Sequence, residues 1–211
     1  MKKAIIFDLD GTLWDSTGYT CDIWNTVFSR YEDISIHMDQ DLMGSLMGFT
    51  MEEIGQKLFP EFSPEKQMQI IDEIGEEEVR FLTVHGGKIY DGLENVLEEL
   101  VETYDLYIVS NSQDGYVQSF LIAHHMESYF KDIEMSGRSG KDKEENIRLI
   151  MKRNGIRDAI YVGDTTGDEK ASHRAGIPFV YASYGFGQTK NPDGVIHNLR
   201  ELSDVVEDIF S

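Results

Sequence analysis

The chain of 211 residues carries 19 Lys and Arg against 39 Asp and Glu, a formal charge of −20, which argues against nucleic acid or an anionic membrane as partner because both need a basic face. No apolar run reaches membrane-spanning length, Met1-Lys2-Lys3 leads into the chain without a signal-peptide pattern, and Cys21 is the single cysteine. A cytoplasmic protein without a disulfide framework is expected, long enough for one large domain or for a core domain carrying an insert.

The first element predicted is a buried parallel strand, Ala4-Ile5-Ile6-Phe7, ending abruptly in Asp8-Leu9-Asp10-Gly11. Alternation along a strand puts Asp8 and Asp10 on one side and close together, which requires a cation between them, a shared proton, or both. From Asp15 to about Leu82 the pattern changes to consecutive helices. These run from Asp15 to Arg30, from Gln40 to Met47, from Thr50 to Phe59 and from Ser63-Pro64 towards Leu82. Thr50 and Glu53 have capping-box spacing, and Ser63-Pro64 supplies an N-cap followed by proline at the first helical position. Ile23, Val27, Phe28, Ile70, Ile71 and Ile74 predict a core internal to this insert, whose clear cations are Arg30, Lys57, Lys66 and Arg80. Gly86-Gly87 and Asp15-Ser16 are the expected hinge.

From Tyr90 onward helices and strands alternate, the signature of a doubly wound α/β domain. Predicted strands are Leu106-Tyr107-Ile108-Val109, a short one near Ile133, Ala159-Ile160-Tyr161-Val162 and Phe179-Val180-Tyr181. Predicted helices cover Leu93 to Glu102, Gly115 to His125, Asp142 to Asn154 with Gly155 as its stop, a segment ending at Ala175 before Gly176, and a last one carrying Leu202, Val205, Val206 and Ile209. The expected architecture is therefore α/β, a doubly wound parallel sheet, Rossmann-like, formed by residues 1–14 and 87–211, with an all-helical cap over residues 15–86.

In open α/β sheets ligands bind beyond the carboxyl ends of the strands, and three predicted strands end in polar residues: Asp8/Asp10, Ser110/Asn111, and Asp164 with Asp168 nearby. The segments FDLDGTL, SNS, the lysine of GKDKEEN and VGDTTGD resemble, in order and spacing, the four motifs of the haloacid dehalogenase-like hydrolase superfamily. The insert resembles the C1 cap of its phosphoglycolate-phosphatase-like and β-phosphoglucomutase-like branch.

This resemblance implies a magnesium-dependent phosphomonoester hydrolase acting on a small phosphorylated metabolite. It makes Asp8 the nucleophile that forms an aspartyl-phosphate, and Asp10 the general acid and then base. Mg2+ would be held by Asp8, the backbone carbonyl of Asp10 and Asp164, with Asp168 binding metal through water or orienting the phosphate-binding lysine. Ser110 and Asn111 would bind the transferring phosphoryl group. Lys141 and Lys143 are both candidates for the lysine; counting back from Gly155 with the family's spacing selects Lys141, although Asp142 stands where a proline often follows. Asp10 argues against dehalogenation, which needs no acid. A phosphosugar mutase of the β-phosphoglucomutase kind is the alternative enzyme, and a non-catalytic phosphate-sensing protein the alternative of another class. Residues 42–59, rich in Met and Gly with Lys57 as their only cation, are the expected specificity region. His124-His125 and Cys21 read as packing or surface residues, and Gly185-Phe186-Gly187 resembles the family's loop after the last sheet strand. No sequence signal bears on oligomeric state.

Overall fold

In a computed structural model, residues 3–211 are described, and a six-stranded sheet organises them. Its strands, all parallel, are β1 (Ala4–Phe7), β4 (Asp105–Ser110), β5 (Phe130–Met135), β6 (Ala159–Gly163), β7 (Phe179–Ala182) and β8 (Gly194–Ile196), in the order β5-β4-β1-β6-β7-β8. The all-apolar β1 sits in the middle because it is covered on both faces and both edges. Ile5 and Phe7 turn to one face together with Leu106, Ile108, Ile160 and Val162. Ala4 and Ile6 turn to the other with Tyr107, Val109, Ala159 and Tyr161. That period of two fixes the register of the three central strands.

Helices complete both faces. The first face is closed by α5 (Leu93–Thr103), α6 (Tyr116–His124) and α10 (Leu202–Phe210), and the second by α8 (Lys143–Asn154) and α9 (Thr166–Ala175). A four-residue turn of helix, α7 (Ser136–Ser139), follows β5. The doubly wound α/β architecture expected from the alternating pattern is present.

The segment after β1 forms α1 (Thr17–Phe28), α2 (Gln40–Leu46), α3 (Met51–Leu58) and α4 (Pro64–His85). Their inward residues, among them Trp24, Phe28, Met43, Ile54, Ile70 and Ile74, make a separate apolar cluster in which Cys21 also packs. Ile23 is only half-buried; Trp24 takes the inward position on that turn. The Thr50–Glu53 capping box forms as its spacing predicts, and α4 outlasts the expected Leu82 by three residues before Gly86 ends it. Val79, Phe81 and Leu82 on the last turns of α4 join the core under the sheet, so this one helix belongs to both clusters.

Two elements without a sequence signal lie where the chain enters and leaves the helical segment. β2 (Trp14–Asp15) and β3 (Lys88–Ile89) pair antiparallel, Trp14 opposite Ile89 and Asp15 opposite Lys88. Two residues are too few to show alternation, so periodicity could not have revealed them. Trp14 is fully buried and packs edge-on against Tyr116 and Phe120, with ring centroids 5.6 and 5.2 Å apart. Among the described residues no helix is long and apolar enough to cross a membrane.

Phe120 is fully buried at the contact between α4, α6 and Trp14. Phe120→Ala should cost about 3–5 kcal/mol of stability in chemical denaturation, because the aromatic ring leaves a cavity that close-packed neighbours cannot fill.

Candidate active site

The carboxyl ends of β1, β4 and β6 carry the polar residues that the sequence singles out. β1 stops at Phe7, and the backbone N–H of Asp8 still donates to Val162 at 2.8 Å, which anchors Asp8 to the neighbouring strand. Beyond it the chain turns through Leu9, Asp10 and Gly11, where Gly11 adopts φ 77° and a Cβ would collide with the Asp164 carboxylate. Beyond the strand end, Asp8 and Asp10 take different hydrogen-bond partners.

Asp8, Asp164 and Asp168 are all buried, and each offers a carboxylate oxygen within 4.8 Å of the others. One ammonium stands among them. Lys143 Nζ donates to Asp8 Oδ1 at 2.9 Å and to Asp168 Oδ1 at 2.5 Å, and its side chain is 6 % exposed. Burial works against its charge, but Asp168 and Asp8 outweigh burial and hold its pKa well above the ordinary lysine value. Asp8 is raised well above the usual carboxylate range, chiefly by burial and then by the like charge of Asp168, with Lys143 acting in the opposite direction.

Asp168 is fully satisfied. Its Oδ2 closes a capping box at the start of α9, accepting from the Thr165 N–H at 2.9 Å and the Thr165 hydroxyl at 2.7 Å, while Oδ1 faces Lys143. Asp164 differs. Its Oδ2 accepts from the N–H groups of Phe186 at 2.6 Å and Gly187 at 3.3 Å, while Oδ1 is buried without a partner. Burial, with Asp168 adding to it, pushes the Asp164 carboxyl up to about 7.

Asp10 is held by donors from three elements: Trp14 Nε1 at 2.9 Å, the Tyr116 hydroxyl at 2.9 Å and the Ser16 hydroxyl at 3.2 Å. All three reach Oδ1. They favour the ionised form, yet burial wins and raises Asp10 to about 6. Its carboxylate stands outside the three-aspartate cluster.

Ser110 ends β4 and its hydroxyl accepts from the Ser112 N–H at 3.2 Å. Asn111 reaches across to the helical segment, donating to the Gly48 carbonyl at 2.8 Å, and accepts from the Ser136 hydroxyl at 3.0 Å. Asp8, Asp10, Ser110, Asn111 and Lys143 all line one cavity, roofed by residues of the helical segment that include Trp24 of α1, Met47 and Phe49 between α2 and α3, and Glu78 of α4.

The lysine is the point where spacing and structure part. Lys141 lies at the surface and pairs with Glu145 at 3.0 Å, so it is not at the carboxylates, and Lys143 is. The physical reason is the N-cap: Asp142 accepts from the Glu145 N–H, which makes Lys143 the first helical residue. A side chain there tilts back toward the helix N-terminus and the strand ends, whereas Lys141 precedes the cap. The Asp142–Glu145 spacing carried that signal in the sequence. Trp14, Ser16, Tyr116 and Glu78 carried none, because each reaches the site through tertiary packing.

Residues 5–182 match the family model described as haloacid dehalogenase-like hydrolase. The chain is similar to a phosphoglycolate phosphatase of Vibrio parahaemolyticus, 25% identical with 97% of this chain and 96% of that protein covered. It is 26% identical to a 5'-nucleotidase of Pseudomonas aeruginosa, over 96% of this chain and 95% of that one. A haloacid dehalogenase-like family hydrolase from Streptococcus pneumoniae shares the fold, with a TM-score of 0.82, 22% identity, and 100% of this chain and 99% of that one covered.

Removing the Lys143 ammonium leaves three buried carboxylates facing one another. Lys143→Met should lower stability at neutral pH by about 3–5 kcal/mol, and Lys141→Met by less than about 1 kcal/mol, both read by denaturant titration. Glu78 gives a pH signature. Burial raises it to about 7 from an ordinary 4.5, so the folded protein holds its proton more tightly than the unfolded chain does. The resulting stability is complete below about 4.5 and is lost as pH rises through 7, so Glu78→Gln should flatten that part of the stability profile.

Proposed function

Since the chain belongs to the haloacid dehalogenase-like hydrolase family, we propose that it is a magnesium-dependent phosphatase that cleaves small phosphomonoesters through an aspartyl-phosphate on Asp8. The observation that carries this reading is the Lys143 ammonium bridging Asp8 and Asp168 beside the unpartnered oxygen of Asp164.

The residues fit a small hard cation. Three buried carboxylates against one ammonium leave an excess of negative charge, and Asp164 Oδ1 is a buried acceptor with nothing to accept from. Asp8 and Asp164 would hold Mg2+, with the Asp10 backbone carbonyl alongside. When bound, the ion neutralises phosphoryl charge and so favours attack by an anionic nucleophile. Asp168, with both oxygens engaged, serves to position Lys143.

An Asp8 carboxylate oxygen attacks phosphorus, and the bond from phosphorus to the alcohol oxygen breaks. Asp10 donates its proton to that leaving oxygen. In the second half Asp10 takes a proton from the incoming water, whose oxygen bonds to phosphorus as the bond between phosphorus and Asp8 breaks, and inorganic phosphate leaves. A carboxyl raised to about 6 exists in both protonation states near neutral pH, as this dual task requires. The Lys143 ammonium and the Ser110 hydroxyl stabilise the charge on the transferring group without reorganising. Asn111, whose amide is tied to Gly48 and Ser136, fixes the roof over the cavity rather than reaching freely into it. Residues 15–86 act in this reading as a cap on a core of residues 1–14 and 87–211.

Asp8→Asn should lower kcat on p-nitrophenyl phosphate by at least about a thousandfold. Chelation of divalent ions should abolish turnover and added Mg2+ should restore it; an unchanged rate in either experiment contradicts the reading. Mg2+ should also raise the melting temperature of the wild type by mass action, and Asp164→Asn should remove that shift.

A further inference from the structure

Glu78 has no task in the chemistry above, yet it is 4 % exposed and lines the same cavity as Asp8 and Asp10. Its two carboxylate oxygens accept from neutral donors only, Trp24 Nε1 at 2.6 Å and Gln113 Nε2 at 2.7 Å. Gly75, one turn earlier on α4, makes room for that second bond: a Cβ there would lie 3.2 Å from Gln113 Cγ. A carboxylate oxygen accepts about two hydrogen bonds, so each still has acceptor capacity. Burial, with the charge of Asp10 adding to it, outweighs these two hydrogen bonds and raises Glu78 to about 7.

Every cation of the helical segment is committed elsewhere. Arg30 pairs with Glu73 and Glu77, Arg80 with Glu77, and Lys66 with Asp33. Lys57 lies over the Phe49 ring, 4.3 Å from its centroid, and none of these four lines the cavity. Lys143 is spent on Asp8 and Asp168. Apart from the aspartates and Lys143, the cavity is therefore lined by apolar residues such as Trp24, Met43 and Phe49, by neutral polar groups such as Thr20 and Gln113, and by a single carboxylate, Glu78. A second anionic group on the substrate would be desolvated there with no counter-charge.

We propose that Glu78 determines specificity by accepting a hydrogen bond from a hydroxyl or ammonium group on the alcohol half of the phosphomonoester, and that it turns away alcohols carrying a carboxylate. This rests on the phosphatase reading and departs from the substrate named for the Vibrio relative. The roof is built for a neutral or cationic alcohol with some apolar surface.

Three phosphomonoesters of nearly one shape, assayed at about pH 8 where Glu78 is ionised, test it: 2-phosphoglycolate, 2-hydroxyethyl phosphate and phosphoethanolamine, which present a carboxylate, a hydroxymethyl and an aminomethyl group at the same place. For the wild type, kcat/KM for the hydroxyl and ammonium compounds should each exceed that for phosphoglycolate by at least about tenfold. In Glu78→Gln the gap should shrink to below about threefold. Phosphoglycolate equal to or better than either partner in the wild type overturns the proposal, whether or not the variant folds. A gap unchanged in folded Glu78→Gln overturns it as well. p-Nitrophenyl phosphate separates the two readings: no turnover of any of the four compounds removes the phosphatase and this inference with it, whereas turnover with the order reversed removes this inference alone.

Discussion

One buried ammonium holds the site together. Lys143 Nζ bridges Asp8 at the end of β1 and Asp168 at the start of α9, and thereby joins segments 135 and 25 residues away along the chain. Without it, Asp8, Asp164 and Asp168 would be three desolvated carboxylates in mutual repulsion, a state that a folded protein avoids by taking up protons or rearranging. With it, Asp168 can keep both oxygens occupied while Asp164 retains a bare one. The sheet exists in the form it does partly to bring these ends together. β1 in the centre puts Asp8 within reach of β6 on one side and β4 on the other.

The same local geometry divides labour between two aspartates only two residues apart. Asp8 continues the line of its strand toward Lys143, Asp164 and Asp168, tied by its N–H to Val162. Asp10, past the end of the strand, is drawn into a polar nest of Trp14, Ser16 and Tyr116. Two of those donors, Trp14 and Ser16, lie where the chain enters the helical segment and the third opens α6, so the path by which the chain leaves the core helps to set the environment of the proton-transfer group. Burial raises both carboxyls, and the Lys143 ammonium opposes it at both, but only Asp8 is hydrogen-bonded to that ammonium.

Much of this was legible in the sequence, for identifiable reasons. The central strands are short, apolar and end in polar residues, and the helices carry strong stop signals such as Gly155 and Gly176; these local features survive folding unchanged. Asp8, Ser110, Asn111, Asp164 and Asp168 sit where strand-end logic put them. The choice of Lys141 failed because a family spacing was counted from the far end of a helix, when the N-cap at Asp142 sets which lysine turns inward. Alternation could not show that Asp8 and Asp10 take different partners, because the strand stops at Phe7 and both residues lie beyond it. Glu78 and its partners Trp24 and Gln113 could not be read at all, since they meet only when α4 packs simultaneously on α1 and on the loop after β4.

The central claim is that Asp8 itself carries the phosphoryl group in transit. The most direct measurement is rapid acid quenching of Asp10→Asn mixed with p-nitrophenyl phosphate, followed by mass spectrometry of the peptide that spans residues 4–13. Nitrophenolate needs little help from an acid to leave, while the second step lacks its base, so the intermediate should accumulate. A burst of about one equivalent of nitrophenolate per enzyme is expected, with one phosphoryl group on Asp8. Steady release of nitrophenolate with no phosphoryl group on that peptide would contradict it.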